Sequence, residues 1–355
     1  MGTVWFMILA VMVTLYVVLD GYDLGTGALH LLVARTESER EEVTASIGPV
    51  WNGNEVWLLA AGGSLFMAFP KVYAAAFSGL YFGMILVLWL LIGRGLALEL
   101  RHQITSPLWR SACDAVFSLS SLGLAVVFGV ALGNVVRGVP LNAEGYFFLG
   151  LFGILNWYAL LIGVFGLVTL AAHGATFLAF KSRGPVRERA VRLGRVLVPA
   201  MAVLFAVLAV PTYAVREEML TTFFDQPWKL VFPLLATASL GALFSFQRRG
   251  LRGRAFLSSS LFIVGLLTTM AAALYPSVLP AREGQPYGLT VQNAAAGDYA
   301  LGVAIVWWSL GAVLAVGYTA YAFRIFHGRT GEGLHVPPVP APGGDERREH
   351  VGGAT

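Results

Sequence analysis

Cysteine is nearly missing: Cys113 stands alone among 355 residues. That excludes an intrachain disulfide and any multi-cysteine iron–sulfur or zinc centre. Charge is scarce too, at 12% of residues, roughly half the share of an ordinary soluble domain. No run alternates apolar and polar residues over about ten positions, which argues against a transmembrane β-barrel. The glycine clusters LGTG, AAGGS and LGN follow no strand pattern, so none reads as a nucleotide-binding loop. They read instead as small surfaces that let helix backbones approach closely in lipid. The first apolar stretch has no basic flank and no small-residue cleavage site, and is expected to be a retained span rather than a signal peptide.

What is present is hydrocarbon. Hydrophobic residues make up 57% of the sequence and the mean hydropathy is +0.71, the composition of an all-α polytopic membrane protein. Nine transmembrane helices are expected, at 4–32, 51–69, 74–99, 112–136, 146–180, 193–214, 228–247, 253–275 and 299–326. Of the 24 lysines and arginines, 19 lie in, or at the helix ends beside, the loops after helices 1, 3, 5 and 7 or the C-terminal tail. The positive-inside rule then sets the N-terminus outside and the C-terminus in the cytoplasm. Cations recurring at membrane-loop intervals argue against a nucleic-acid partner. Residues 1–327 form the expected transmembrane domain, and the Pro-, Gly- and charge-rich 328–355 an expected disordered cytoplasmic tail. Two loops, 35–50 and 275–298, have room for structure. Trp5, Tyr146, Trp228, Tyr275 and Tyr287 suit the outer membrane boundary, and Met7, Met12, Met67 and Met84 read as helix packing.

Acids inside spans are expensive and usually mark function. Asp20 and Asp23, three apart in LDGYDLG, share one helix face and lie about 24 and 29 Å along helix 1. Asn52 and Glu55 in WNGNEVW open helix 2 near the same membrane surface. These four are the candidate proton path. Arg94, Glu99, Arg101 and Asp114 gather on the same side and read as a structural polar cluster, with Asp114 favoured by a helix N-terminus. Of the six histidines, His102, His327, His335 and His350 fall in loops or the tail and His30 ends helix 1. Only His173, in HGATFL, lies within a span. A single membrane histidine without a facing partner reads as hydrogen-bonded structure, so neither a metal site nor an independent catalytic centre is expected.

The segments LDGYDLG, IGPVWNGNEVWLLAAGGSLFMAFPKVYA and LIGRGLALELR resemble subunit II of the cytochrome bd quinol oxidases. FGVALGNVVRGVPL, HGATFL and LYPSVLP followed by Leu289 and Thr290 extend the likeness over about residues 4 to 326. The resemblance implies two four-helix bundles plus a peripheral helix. It implies a heme-bearing subunit I as partner, holding two b-type hemes and heme d, in a bacterial or archaeal plasma membrane. Such a complex oxidises quinol, reduces dioxygen to water and builds a membrane potential. It leaves room for a small accessory subunit and for bound quinone or lipid. This chain would ligate no heme, acting as scaffold and as a cytoplasmic-side proton path. Many relatives carry an acid where Asn52 stands, and an amide releases no proton near neutral pH. A proton-coupled secondary transporter and a scaffold without proton traffic are the competing readings.

Overall fold

The computed structural model describes residues 1–282 and 284–325; His327, His335, His350 and the tail 328–355 lie outside them. Thirteen α-helices account for most of the described chain. They are α1 (Gly2–Val33), α2 (Glu37–Ile47), α3 (Trp51–Ala68), α4 (Pro70–Gly79), α5 (Tyr81–Leu100), α6 (Pro107–Arg137), α7 (Leu151–Ile154), α8 (Trp157–Lys181), α9 (Gly184–Val215), α10 (Glu218–Asp225), α11 (Val231–Arg248), α12 (Arg252–Leu274) and α13 (Asp298–Ile325). Eight helical stretches are long and apolar enough to cross a membrane, or nine if the bent pair α3–α4 counts as one.

Three expected spans differ in shape. The third, drawn from 74, is divided: α4 turns 120° from α3, and α5 begins only at Tyr81. The turn between α3 and α4 is set by Pro70 at the first position of α4; its ring drives the preceding Phe69 out of the helical region. The fifth begins at Trp157, not 146. Before it the chain runs irregularly against α4, with Leu149 N–H donating to the Gly79 carbonyl at 3.0 Å. Asn156 starts α8 by accepting the Ala159 N–H at 3.1 Å, the usual work of an N-cap. Its side chain also donates to Asn134 Oδ1 at 2.9 Å, so the polar groups of this break are mutually satisfied. The sixth helix starts nine residues early, at Gly184, and α9 therefore projects its arginines beyond the apolar stretch.

Helix α1 is the axis of the molecule, packing against α3, α6, α8 and α12, while α11 pairs with α12 and α9 with α8. Close approach to α8 is bought by glycine at two facing positions: a Cβ on Gly25 would overlap the Leu170 carbonyl, and one on Gly174 the Gly25 backbone. At the far end of α1, the 275–298 loop holds a two-stranded antiparallel ribbon, β1 (Ser277–Leu279) with β2 (Leu289–Thr290). There Trp5 packs edge-on against Trp308 and donates to the Leu301 carbonyl at 3.3 Å. Beyond this tether few residues of α13 are buried, although Trp308 and Ala315 pack against the cluster around Tyr16 and Trp57. The 35–50 loop folds as α2, opened by a capping box in which Thr36 and Glu39 satisfy each other's backbone N–H groups.

Candidate functional site

The polar residues of the first hundred positions divide into separate groups along α1. In the first, Arg94 of α5 reaches Asp20 with both terminal nitrogens, Nη1 to Oδ2 at 2.9 Å and Nη2 to Oδ1 at 2.5 Å. Both side chains are essentially inaccessible, at 1% and 0% exposure. A bidentate, charge-assisted pair of this kind is rigid in orientation, and removing one partner of such a buried pair costs about 3–5 kcal/mol. Arg94 also lies 6.0 Å from the Trp51 ring centre, within cation–π range. Glu55 sits at the edge, its Oε2 3.9 Å from Arg94 Nη2 and its side chain 22% exposed.

One turn along α1, Asp23 is 1% exposed. Its Oδ2 accepts Asn54 Nδ2–H at 2.8 Å, and its Oδ1 has no hydrogen-bond partner among the described residues. Asn54 also donates to Tyr22 Oη at 2.8 Å and to the Leu19 carbonyl at 3.2 Å. Both oxygens of Asp20 are engaged by Arg94, whereas Asp23 has one oxygen with no hydrogen-bond partner among the described residues. The two acids, alike in the sequence, are therefore unlike in chemistry.

Asn54, not Asn52, meets Asp23; Asn52 is exposed. The helical phase of α3 carries this distinction. Trp51, Asn54, Trp57, Ala61, Ser64 and Ala68 are its buried residues, spaced by threes and fours along one stripe, and Asn52 falls off it. Tyr16, one turn before Asp20, is a second residue the motif did not single out: it is buried, with its hydroxyl unpartnered among the described residues.

The second group closes the α2 end of α1. Asp114 Oδ1 accepts His30 Nε2–H at 2.9 Å and Arg101 Nε–H at 2.8 Å; Oδ2 accepts Arg40 Nη1–H at 3.2 Å and Arg101 Nη2–H at 3.3 Å. Glu37 bridges Arg101 and Arg110, each at 3.0 Å. Helix α6 starts at Pro107, so Asp114 lies two turns inside it, and two arginines with a histidine N–H, rather than a helix N-terminus, hold its charge. The polar cluster expected of Arg94, Glu99, Arg101, Asp114 and His173 is thus not one assembly. Arg94 belongs with Asp20, Arg101 with Asp114, and Glu99 is exposed.

His173 is the third feature. Its Nε2 faces the Val18 carbonyl at 3.1 Å and must carry the hydrogen, since a carbonyl only accepts. Nδ1 then accepts from Ser259 Oγ at 2.7 Å, and the ring stacks on Phe256 with centroids 5.1 Å apart. Both ring nitrogens of His173 are therefore committed. His30 gives Nε2 to Asp114. Among the described residues no three His, Cys, Asp or Glu side chains form a metal-binding group.

Fold and site define a polytopic helical membrane protein with buried ion pairs between its spans. Residues 1–326 match the family described as Cytochrome bd terminal oxidase subunit II, and the chain belongs to that family. It is 31% identical over 357 residues to the Cytochrome bd-I ubiquinol oxidase subunit 2 of Escherichia coli, covering 92% of this chain and 94% of the relative. A Probable cytochrome oxidase subunit 2 of Haemophilus influenzae is 30% identical over 355 residues, with the same coverage. The Cytochrome bd ubiquinol oxidase subunit 2 of Bacillus subtilis is 31% identical over 301 residues, covering 84% of this chain and 88% of that protein. In fold, the chain superposes on one from the bd oxidase of Geobacillus thermodenitrificans with a TM-score of 0.73 at 18% identity, covering 92% of this chain and 98% of that one.

Proposed function

We propose that this chain is the second subunit of a quinol-oxidising, dioxygen-reducing membrane complex and conducts protons toward a heme-bearing subunit I. The N-terminus lies outside and the α2 end faces the cytoplasm, a reading supported by the arginine-rich loops. The nine spans make two four-helix bundles and a peripheral α13 in a bacterial or archaeal plasma membrane. Quinol is oxidised in the partner, which holds two b-type hemes and heme d; a small accessory subunit and a bound quinone or lipid are compatible with this arrangement. Family membership weighs against the transporter reading.

One observation carries the proton role: two acids from different helices, Asp23 and Glu55, flank the buried Arg94–Asp20 pair. In this scheme Arg94 and Asp20 are the fixed charges that orient the path. Asp23 and Glu55 are the groups that take up and release protons. Glu55 reaches the surface of the chain and hands protons to the partner; Asn52, an exposed amide, has no part in it. The bidentate geometry of Asp20 favours a second reading, a pure scaffold.

Substitution separates the two. Asp23→Asn and Glu55→Gln are made in the assembled complex, and quinol-driven oxygen consumption is compared with heme content. Conduction through these acids requires turnover to fall about tenfold, equivalent to roughly 1.4 kcal/mol of barrier, with heme content normal. Loss of heme with unchanged turnover per remaining heme would overturn conduction in favour of the scaffold.

A further inference from the structure

The asymmetry of the cations leaves five on the ribbon side of the spans: Lys71, Arg137, Arg216, Lys229 and Arg282. Two of these are spent on helix ends. Lys229 is 3% exposed and donates to the Ala272 carbonyl, in the last turn of α12, at 2.9 Å. Arg216 gives Nε–H to the Val136 carbonyl at the end of α6 at 2.8 Å, and Nη2–H to the Ala281 carbonyl at 3.0 Å. Cations commonly satisfy the last carbonyls of helices in this way. Arg282 is different. It stands in the loop between β1 and β2, at no helix end, and its Nε is buried without a hydrogen-bond partner among the described residues. A buried donor of this kind calls for an acceptor.

The backbone delivers Arg282 to a crowded place. Val139 and Ala281 pair in parallel, with Val139 N–H donating to the Pro280 carbonyl and Arg282 N–H to the Val139 carbonyl, each at 3.0 Å. Gly138, at φ +85°, lets the chain leave α6 against this segment; a Cβ there would overlap the Ala281 carbonyl. Arg137 and Arg282 come near enough for their charges to act on each other. Arg216, Arg282, Glu217, Glu218 and Gln285 all line one cleft of about 130 Å³. Its charges do not cancel by pairing closely. Glu217 accepts the Tyr213 hydroxyl at 3.1 Å, and Glu218 Oε2 stands 4.0 Å from Arg216 Nη1 with its side chain 80% exposed.

Fixed guanidiniums and carboxylates in one cleft suit a ligand that carries both signs. A bare anion would meet the glutamates, and a bare amine the arginines. The cleft is smaller than the roughly 300 Å³ of a pocket that encloses a whole small molecule, so most of the ligand stays outside it. Helices α6, α9 and α12 all end here, at Arg137, Val215 and Leu274, which is where lipid headgroups begin. Helix α10 starts at Glu218, and beyond it Phe224 and Trp228 are 78% and 66% exposed, as suits aromatic side chains at a membrane boundary. We infer that the cleft holds the headgroup of a phosphatidylethanolamine. Its phosphodiester takes Arg282 Nε–H and the Arg216 charge, a charge-assisted contact. Its ammonium, with three donors, faces Glu218 and Glu217, and its acyl chains run past Phe224 and Trp228. The lipid thereby ties the ends of α6 and α9 to the ribbon loop. Only its assignment to the outer leaflet rests on the proposed orientation, and nothing in it rests on proton traffic.

Native mass spectrometry of the purified full complex, titrated with short-chain lipids, reads this site. Phosphatidylcholine keeps both charges but has no N–H donors, and phosphatidylglycerol keeps the phosphate without a cation. The parent should bind one phosphatidylethanolamine about tenfold more tightly than either. Arg282→Gln should weaken that binding about tenfold, and Glu218→Gln should shrink the preference over phosphatidylglycerol to about twofold or less. Neither substitution removes a side-chain hydrogen bond among the described residues, so heme content and quinol-driven oxygen consumption should match the parent. Soluble phosphoethanolamine should compete at least about tenfold less well than the lipid; equal competition would overturn the lipid in favour of a soluble zwitterion. Equal affinity for all three lipids in the parent, or a preference unchanged in both variants, would overturn the site. If a variant fails to assemble, the three lipids on the parent decide alone. Lipid affinity and turnover are separate readouts, so loss of this site leaves the proton role standing, and the reverse.

Discussion

Arg94 and Asp20 face each other across α5 and α1 with two parallel hydrogen bonds, at 2.9 and 2.5 Å, and both side chains are buried. Neither charge has another opposite charge so close, since Glu55 stands at 3.9 Å from the guanidinium. Asp20→Asn or Arg94→Gln alone therefore strands a buried charge and should destabilise the complex by about 3–5 kcal/mol. The double variant strands neither and should cost clearly less than the sum of the two. Thermal unfolding of the purified complex, read as a double-mutant cycle, measures the difference. Strict additivity would mean that the pair is not coupled.

That coupling governs which substitutions inform on function. A slow Asp20→Asn enzyme could be slow because α1 and α5 have shifted. Asp23→Asn removes one titrating oxygen and keeps the Asn54 contact available, so its effect on turnover is easier to assign to protons.

Gly25 and Gly174 mark where α1 and α8 touch backbone to backbone. Any Cβ at either position overlaps main-chain atoms of the other helix, and main chain cannot rotate away as a side chain can. Gly25→Ala and Gly174→Ala should each destabilise by about 1–3 kcal/mol, the range for overpacking a filled interior, and lower the yield of assembled complex. Gly241→Ala, at a helical glycine with nothing within 4 Å, is the matched control and should be tolerated. Equal yields for all three would show that the helices slide apart at no cost.

Much of this architecture was legible in the sequence because lipid leaves a chain few options. Backbone polar groups must be satisfied within each span, so long apolar runs became helices near their expected positions, and the motifs around Asp20 and Glu55 identified the family. The misreadings have local causes. Residues 146–156 are apolar enough to pass as part of a span, yet Asn156 and Asn134 hold a break there that composition does not reveal. Pro70 was visible, but only packing tells that it folds α3 back by 120°.

The site was legible by residue type and not by pairing. Asp20 and Asp23 look equivalent three apart, and nothing in the sequence states that α5 brings Arg94 to one and α3 brings Asn54 to the other. The choice of Asn52 over Asn54 followed the motif, while the stripe of Trp51, Trp57 and Ala61 would have favoured Asn54. Asp114 looked like a helix-start residue because the hydrophobic run begins near 112; α6 in fact starts at Pro107 and buries Asp114 among arginines.

Outside the spans, Glu39 is the residue whose negative charge holds α2 in place. Its Oε2 accepts the backbone N–H of Arg35 at 2.6 Å and of Thr36 at 3.1 Å, and both oxygens take the Arg189 guanidinium, at 2.8 and 3.0 Å. The Arg189 hydrogen bonds, followed by the Arg35 amide, pull the carboxyl from 4.5 down to about 2. A carboxyl more acidic in the folded chain than in the unfolded one stabilises the fold above pH 4.5. That stabilisation shrinks as the pH falls and is gone once it drops through about 2. Glu39→Gln should therefore loosen α2 at neutral pH by about 1 kcal/mol, the size of a lost helix cap, seen as faster amide hydrogen exchange in Glu37–Ile47. The difference from the parent should persist down to about pH 4.5 and then close toward pH 2. A gap that stays constant on acidification would mean that the Arg189 clamp does not depend on the charge of Glu39.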